Sequence, residues 1–104
     1  MRSNTVKGQL DALILATLDA GPAHGYAVGQ MLRERSDGAF DLPEGTIYPA
    51  LHRLERDGLL DSEWSLEAGR RRRVYRLTRA GTNALGARRR EWSAFSGAVA
   101  AVLG

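Results

Sequence analysis

The stretch Gly45-Thr46-Ile47-Tyr48-Pro49-Ala50-Leu51-His52-Arg53-Leu54-Glu55-Arg56-Asp57-Gly58 decides how the rest of the chain is read. At 100° per residue Ile47, Ala50, Leu51 and Leu54 share one side, while Thr46, Pro49, His52, Arg53 and Arg56 point away and Tyr48 lies on the flank. One side packs, and the other carries hydroxyl, imidazole and guanidinium groups outward. Pro49 limits where the helix begins, because its missing N–H is tolerated without a kink only in the first turn. The predicted start is therefore near Gly45 or Thr46, and Asp57-Gly58 ends the helix, Gly58 suiting a left-handed cap.

Toward the N-terminus, Leu10, Leu13, Ile14, Ala16, Thr17 and Leu18 crowd a broad apolar face, which predicts a largely buried helix over Gly8 to Asp19. Gly21-Pro22 breaks it, and His24-Gly25 leads into a shorter amphipathic helix from Tyr26 to Arg35, closed by Ser36-Asp37-Gly38. Toward the C-terminus, Leu59 to Leu66 and Arg72 to Leu77 read as two strands. Leu60, Trp64 and Leu66 share one face of the first, and Tyr75 and Leu77 one face of the second, with Glu67-Ala68-Gly69-Arg70 as the hairpin tip. Thr78 then caps a last helix running to about Leu103, on which Leu85, Trp92, Phe95, Val99 and Val102 recur near heptad spacing and Arg88 is the one seam position that is not apolar.

With 104 residues the chain fits one compact unit, and a domain of this size gains from sharing a core with a second copy. It has no cysteine, which excludes disulfide frameworks and thiol catalysis and suits a reducing interior. The polar N-terminus Met1 to Gly8 has no apolar signal core, and no stretch reaches the roughly 18 to 20 apolar residues that span a bilayer, so the expected location is the cytoplasm, away from membranes. A formal net charge of +3 conceals an asymmetry: nine arginines fall between positions 70 and 90 with no acidic residue among them, leaving six basic residues against twelve acidic ones elsewhere. Such a region is either a polyanion-binding surface or a solvated arginine face.

His24 and His52 are the only histidines, and a metal site would need carboxylates such as Glu44 or Asp41 to complete it. A turn histidine and a surface histidine, with no metal, is the expectation. Ser62 and Ser65 sit on a strand with no histidine in pattern, and no glycine-rich phosphate loop precedes a helix, so neither an enzyme nor a cofactor is expected.

The order helix, helix, helix, strand, strand, helix describes a mainly α fold with a small β-hairpin: a winged helix-turn-helix over residues 1–78, then a C-terminal helix over 79–104. In that arrangement the third helix enters a major groove and the hairpin tip reaches adjacent phosphates or the minor groove. Arg71 and Arg72 are the favoured contacts at the tip. Arg53 either reaches a guanine edge or pairs with an acidic neighbour on its helix.

Taken together, His24-Gly25-Tyr26, the run Gly45 to Glu55, Gly58-Leu59-Leu60, Trp64 and Tyr75-Arg76-Leu77-Thr78-Arg79-Ala80-Gly81 resemble the PadR family of bacterial transcriptional regulators, over roughly residues 8 to 82. The single last helix resembles the short subfamily, in which that helix packs against a partner subunit. The resemblance implies a homodimeric repressor on double-stranded operator DNA, with Thr46, Tyr48 and Pro49 where the third helix meets the duplex and Tyr26 on the backbone. The alternatives are a helix cap for Thr46, a half-buried core ring for Tyr48 and a core anchor for Tyr26. Trp92, Phe95 and Val99 are dimer-core residues, and by resemblance they also line an inter-subunit cavity for a flat aromatic effector. The competing class is a winged-helix module whose third helix binds protein.

Overall fold

The computed structural model describes residues 3–104, with side chains from Gln9 onward; the side chains of Met1–Gly8, on which the absence of a signal core was read, lie outside the described residues. The elements are α1 (Ser3–Asp19), β1 (Ala23–His24), α2 (Gly25–Arg35), α3 (Glu44–Arg56), β2 (Leu60–Glu67), β3 (Arg70–Leu77) and α4 (Arg79–Leu103). The strands form one antiparallel sheet in the order β1-β3-β2, so the fold is mainly helical with a small sheet, as the element order predicts. Among the described residues no helix is long and apolar enough to cross a membrane.

One core joins all four helices to the sheet. It takes Ile14, Leu15 and Leu18 from α1, Val28 and Leu32 from α2, Ile47, Ala50, Leu51 and Leu54 from α3, Leu60 and Tyr75 from the sheet, and Leu85 from α4. Leu85 is 2 % exposed, and burying such a side chain contributes about 1.5–3 kcal/mol, enough to fix the near end of α4 on the body. That junction is tight: a β-carbon at Gly81 would fall 2.0 Å from the Leu59 carbonyl oxygen, a space only glycine fits. Thr78 organises the same corner, its hydroxyl donating to the Gly58 carbonyl at 2.7 Å and accepting the Gly81 N–H at 3.0 Å.

Several expected boundaries are corrected. α3 begins at Glu44, with Pro43 in the capping position and its carbonyl accepting the N–H groups of Thr46 and Ile47 at 2.9 and 3.1 Å. Pro49 therefore lies in the second turn, not the first, and the Gly45 carbonyl has no N–H four residues on to accept. Gly45 and Pro49 are both exposed, so the missing bond falls on the solvent side of the helix, where the carbonyl need not be paired within the protein. α1 begins five residues before Gly8, because propagating a nucleated helix does not require an apolar period.

β3 begins at Arg70, not Arg72, since Glu67 pairs with Arg70 around a two-residue turn. Ala68 and Gly69 both have positive φ, 51° and 76°, the geometry that matches the twist of hairpin strands. Leu66 and Trp64 do share the face of Leu60, but they are 72 % and 55 % exposed, because the hairpin extends past the helices that would cover them. β1 was not expected; at two residues it is too short to show any alternation, and only its pairing of Ala23 with Tyr75 and His24 with Val74 defines it.

Candidate nucleic-acid interface

α3 presents Glu44, Gly45, Thr46, Pro49, His52 and Arg56 to solvent, with Tyr48 half-buried at its flank. Thr46 is not the helix cap: its N–H is bonded to the Pro43 carbonyl inside the first turn and its side chain faces outward. Tyr48 crosses the start of α2, where its ring fills the space beside Gly25 that a side chain would need.

Next to it, His24 caps α2 by accepting the Ala27 N–H on Nδ1 at 3.2 Å, and its ring stacks on Tyr26 with centroids 6.3 Å apart. Tyr26 itself is 52 % exposed, so it is not a core anchor. Arg72 reaches the same imidazole, with Nη1 3.4 Å from each ring nitrogen. Burial above all, and then the Arg72 guanidinium, hold the His24 pKa below its ordinary 6.5, with Glu67 opposing them. His24 is thus a structural residue linking the turn to the wing, a role that its position before Gly25 signalled only as a turn.

Arg53 does not project freely. Its Nη1 and Nη2 donate to Oδ1 of Asp11 at 3.2 and 2.7 Å, so its acidic partner lies on α1 and not on its own helix. The exposed side of α3 and Arg53 together border a groove lined by Leu10, Thr46, Pro49, Ala50 and Arg56.

On the wing, strand alternation separates the arginines. The register pairs Trp64 with Arg73 and Leu66 with Arg71 on one face, and Ser65 with Arg72 and Glu67 with Arg70 on the other. Arg71 and Arg73 approach the Trp64 ring, their guanidinium carbons 4.8 and 5.5 Å from its centroid, within cation–π range. Arg73 is further held by Ser62 at 2.8 Å, which in turn donates to Glu55 of α3 at 2.6 Å. Arg76 pairs with Glu63, and Arg89 lies 3.4 Å from Asp19. A run without acids in sequence is therefore partly neutralised in space. Trp64 as a platform for Arg71 was missed; the signal for it lies in the hairpin register, which fixes the shared face.

At the far end of α4, Trp92 and Phe95 have centroids 6.0 Å apart and are 55 % and 61 % exposed, and Val99 continues the stripe toward Val102 and Leu103. Gly97, on the same half of α4, leaves open space where a β-carbon would stand, with nothing beyond its own stretch of helix within 4 Å. Among the described residues no group of three or more His, Cys, Asp or Glu side chains is placed to hold a metal ion.

Comparison with known proteins places this geometry. Residues 14–87 match the transcriptional regulator PadR-like family. The transcriptional regulator Rv3488 of Mycobacterium tuberculosis is 53 % identical over 55 residues, spanning 53 % of this chain and 51 % of that protein. A PadR family transcription regulator from Clostridium difficile R20291 superposes with a TM-score of 0.82 at 35 % identity, covering 91 % of this chain and 98 % of the other. A Streptococcus transcriptional regulator superposes with a TM-score of 0.86 at 26 % identity, over 99 % of this chain and 100 % of the other. The chain belongs to the PadR-like family and is a DNA-binding regulator of transcription, not an enzyme.

Proposed function

We propose that this regulator is a cytoplasmic homodimeric repressor that binds a pseudo-palindromic operator and blocks polymerase. Residues 1–78 form the DNA-binding unit and helix 79–104 joins the two protomers. The observation that carries this reading is the division of α4: its near end is locked into the core by Leu85, while Trp92, Phe95, Val99, Val102 and Leu103 stand exposed along its far half. A contiguous aromatic and aliphatic stripe of this kind marks an interaction surface, and a second copy of the same helix is complementary to it.

In the dimer, two copies of α3 address major grooves about 34–36 Å apart. Thr46, Tyr48 and Pro49 meet the duplex from α3, Tyr26 meets the backbone, Arg71 and Arg72 meet flanking phosphates from opposite faces of the wing, and Arg53 engages once released from Asp11. The tilted Trp92 and Phe95 rings, repeated across the dimer axis, form a slot for a flat aromatic effector. Release of DNA then follows if the effector prefers the dimer conformation that fits DNA poorly.

The test is sedimentation of the protein alone together with fluorescence anisotropy on duplex DNA across salt. The wild type is expected to sediment as a dimer, and Phe95→Asp as a monomer with weakened DNA binding. Arg71→Ala and Arg72→Ala should each weaken binding to all duplexes and lower the log–log salt slope by about 0.9 per protomer. Equal, weak binding to every duplex, unchanged by Tyr48→Ala, would instead favour the protein-interaction module.

A further inference from the structure

We propose that Asp11 of α1 is a specificity-determining positioning residue that keeps Arg53 from acting as a sequence-blind phosphate clamp. That role rests on the reading of α3 as the DNA-contacting helix. Both terminal nitrogens of Arg53 converge on a single carboxylate oxygen, and the two side chains are only 20 % and 22 % exposed. A pair so shielded is held more firmly than a surface ion pair. It also lies beside the groups that face outward, since Arg53 borders the groove of Thr46, Pro49 and Arg56.

A carboxylate and a phosphate offer a guanidinium fork the same charge and the same acceptor geometry. Asp11 therefore occupies Arg53 as a phosphate would, from within the protein. To take Arg53 from it, a duplex must offset the broken pair. A phosphate, with its two non-bridging oxygens, only exchanges one anionic acceptor for another and returns what Asp11 already supplies, whereas a guanine edge in register adds O6 and N7, an acceptor pair that no other base presents. Arg53 thus stays on Asp11 in random encounters and transfers only where the base matches.

The experiment uses the full-length chain, the duplex most enriched by the wild type from a random-sequence library, and a scrambled duplex of the same composition. Anisotropy titrations across salt compare wild type, Asp11→Asn, Asp11→Glu, Arg53→Gln and the Asp11→Asn/Arg53→Gln double variant. Asp11→Asn is expected to tighten binding to the scrambled duplex and to steepen its salt slope by about 0.9 per protomer engaged, which is about eightfold in affinity per protomer for each tenfold fall in salt. The preference for the selected duplex falls by the same factor, Asp11→Glu restores it, and Asp11→Asn has no such effect in the Arg53→Gln background. An unchanged preference and slope in a folded Asp11→Asn protein overturns the proposal. So does the same gain in the double variant, which would make Asp11 a bare repelling charge, and so does failure of Asp11→Asn to fold, which would make the pair a brace. If the wild type enriches no duplex at all, the operator reading itself fails and the proposal with it.

Discussion

Tyr48 closes over Gly25 so tightly that a β-carbon there would fall 2.5 Å from ring atom Cε1 and 2.7 Å from Cζ. The contact ties the start of α2 to the flank of α3. Gly25→Ala is expected to destabilise the fold by about 1–3 kcal/mol in urea unfolding, the usual scale for overpacking. In a Tyr48→Ala background the penalty should shrink by more than about 0.5 kcal/mol, the coupling that marks direct contact. Additive losses would mean that Gly25 is constrained by something other than the Tyr48 ring.

Glycines 81 and 86 lie on one helix and should respond with opposite sign. At Gly81 the neighbour is the Leu59 backbone carbonyl, which cannot swing aside, so Gly81→Ala should cost upward of about 2 kcal/mol despite the better helix propensity of alanine. At Gly86 a β-carbon would meet, beyond its own helix backbone, only Nη1 of Arg90 at 3.5 Å, the mobile end of a long side chain and an ordinary contact. Gly86→Ala should therefore stabilise by up to about 1 kcal/mol, read as a rise in the thermal midpoint.

The wing turn holds Ala68 at a φ of 51°, which costs an L-residue with an ordinary side chain about 1–2 kcal/mol. Asn-Gly is the favoured pair for a turn with both φ values positive. Ala68→Asn should raise stability by roughly 0.5–1 kcal/mol while leaving the salt slope of DNA binding unchanged, because neither charge nor register is altered.

Folding stability should fall as the medium is acidified. His24 has a folded pKa below its ordinary 6.5, so below that value the unfolded chain binds a proton that the folded one resists. The stabilisation is fully present above pH 6.5 and is lost progressively as pH falls from there through the depressed folded value. Protonating Nδ1 also removes the acceptor for the Ala27 N–H. His24→Asn retains a capping acceptor without the titration, and should show a flatter stability profile than wild type as pH falls below 6.5. Parallel profiles would show that another group governs the acid loss.

These features also mark the boundary of what the amino-acid order conveys. Period and capping locate every helix and both hairpin strands, since Ile47, Ala50, Leu51 and Leu54 have only one way to pack and Thr78 caps α4 as its position suggests. Pro49 misleads because a proline rule concerns hydrogen bonds, and the bond it removes belongs to an exposed carbonyl. Pairings between distant segments leave no local trace: nothing near Arg53 points to Asp11, forty-two residues earlier, and nothing near Arg72 points to His24. The wing arginines form one run in sequence, yet the pleat divides them between two faces, a separation that only the register of Trp64 with Arg73 resolves.

The seating of Gly81 against Leu59 makes α4 a lever with its fulcrum in the DNA-binding body. Twenty-five residues of helix at 1.5 Å each give an arm of about 37 Å. A change of about 5° in the angle at which two such arms cross shifts one body relative to the other by about 3 Å, close to the rise of one base step. In the proposed dimer an effector wedged between the aromatic rings need not deform either reading helix, because a slight opening of the scissors shifts both out of step with the pitch of the duplex.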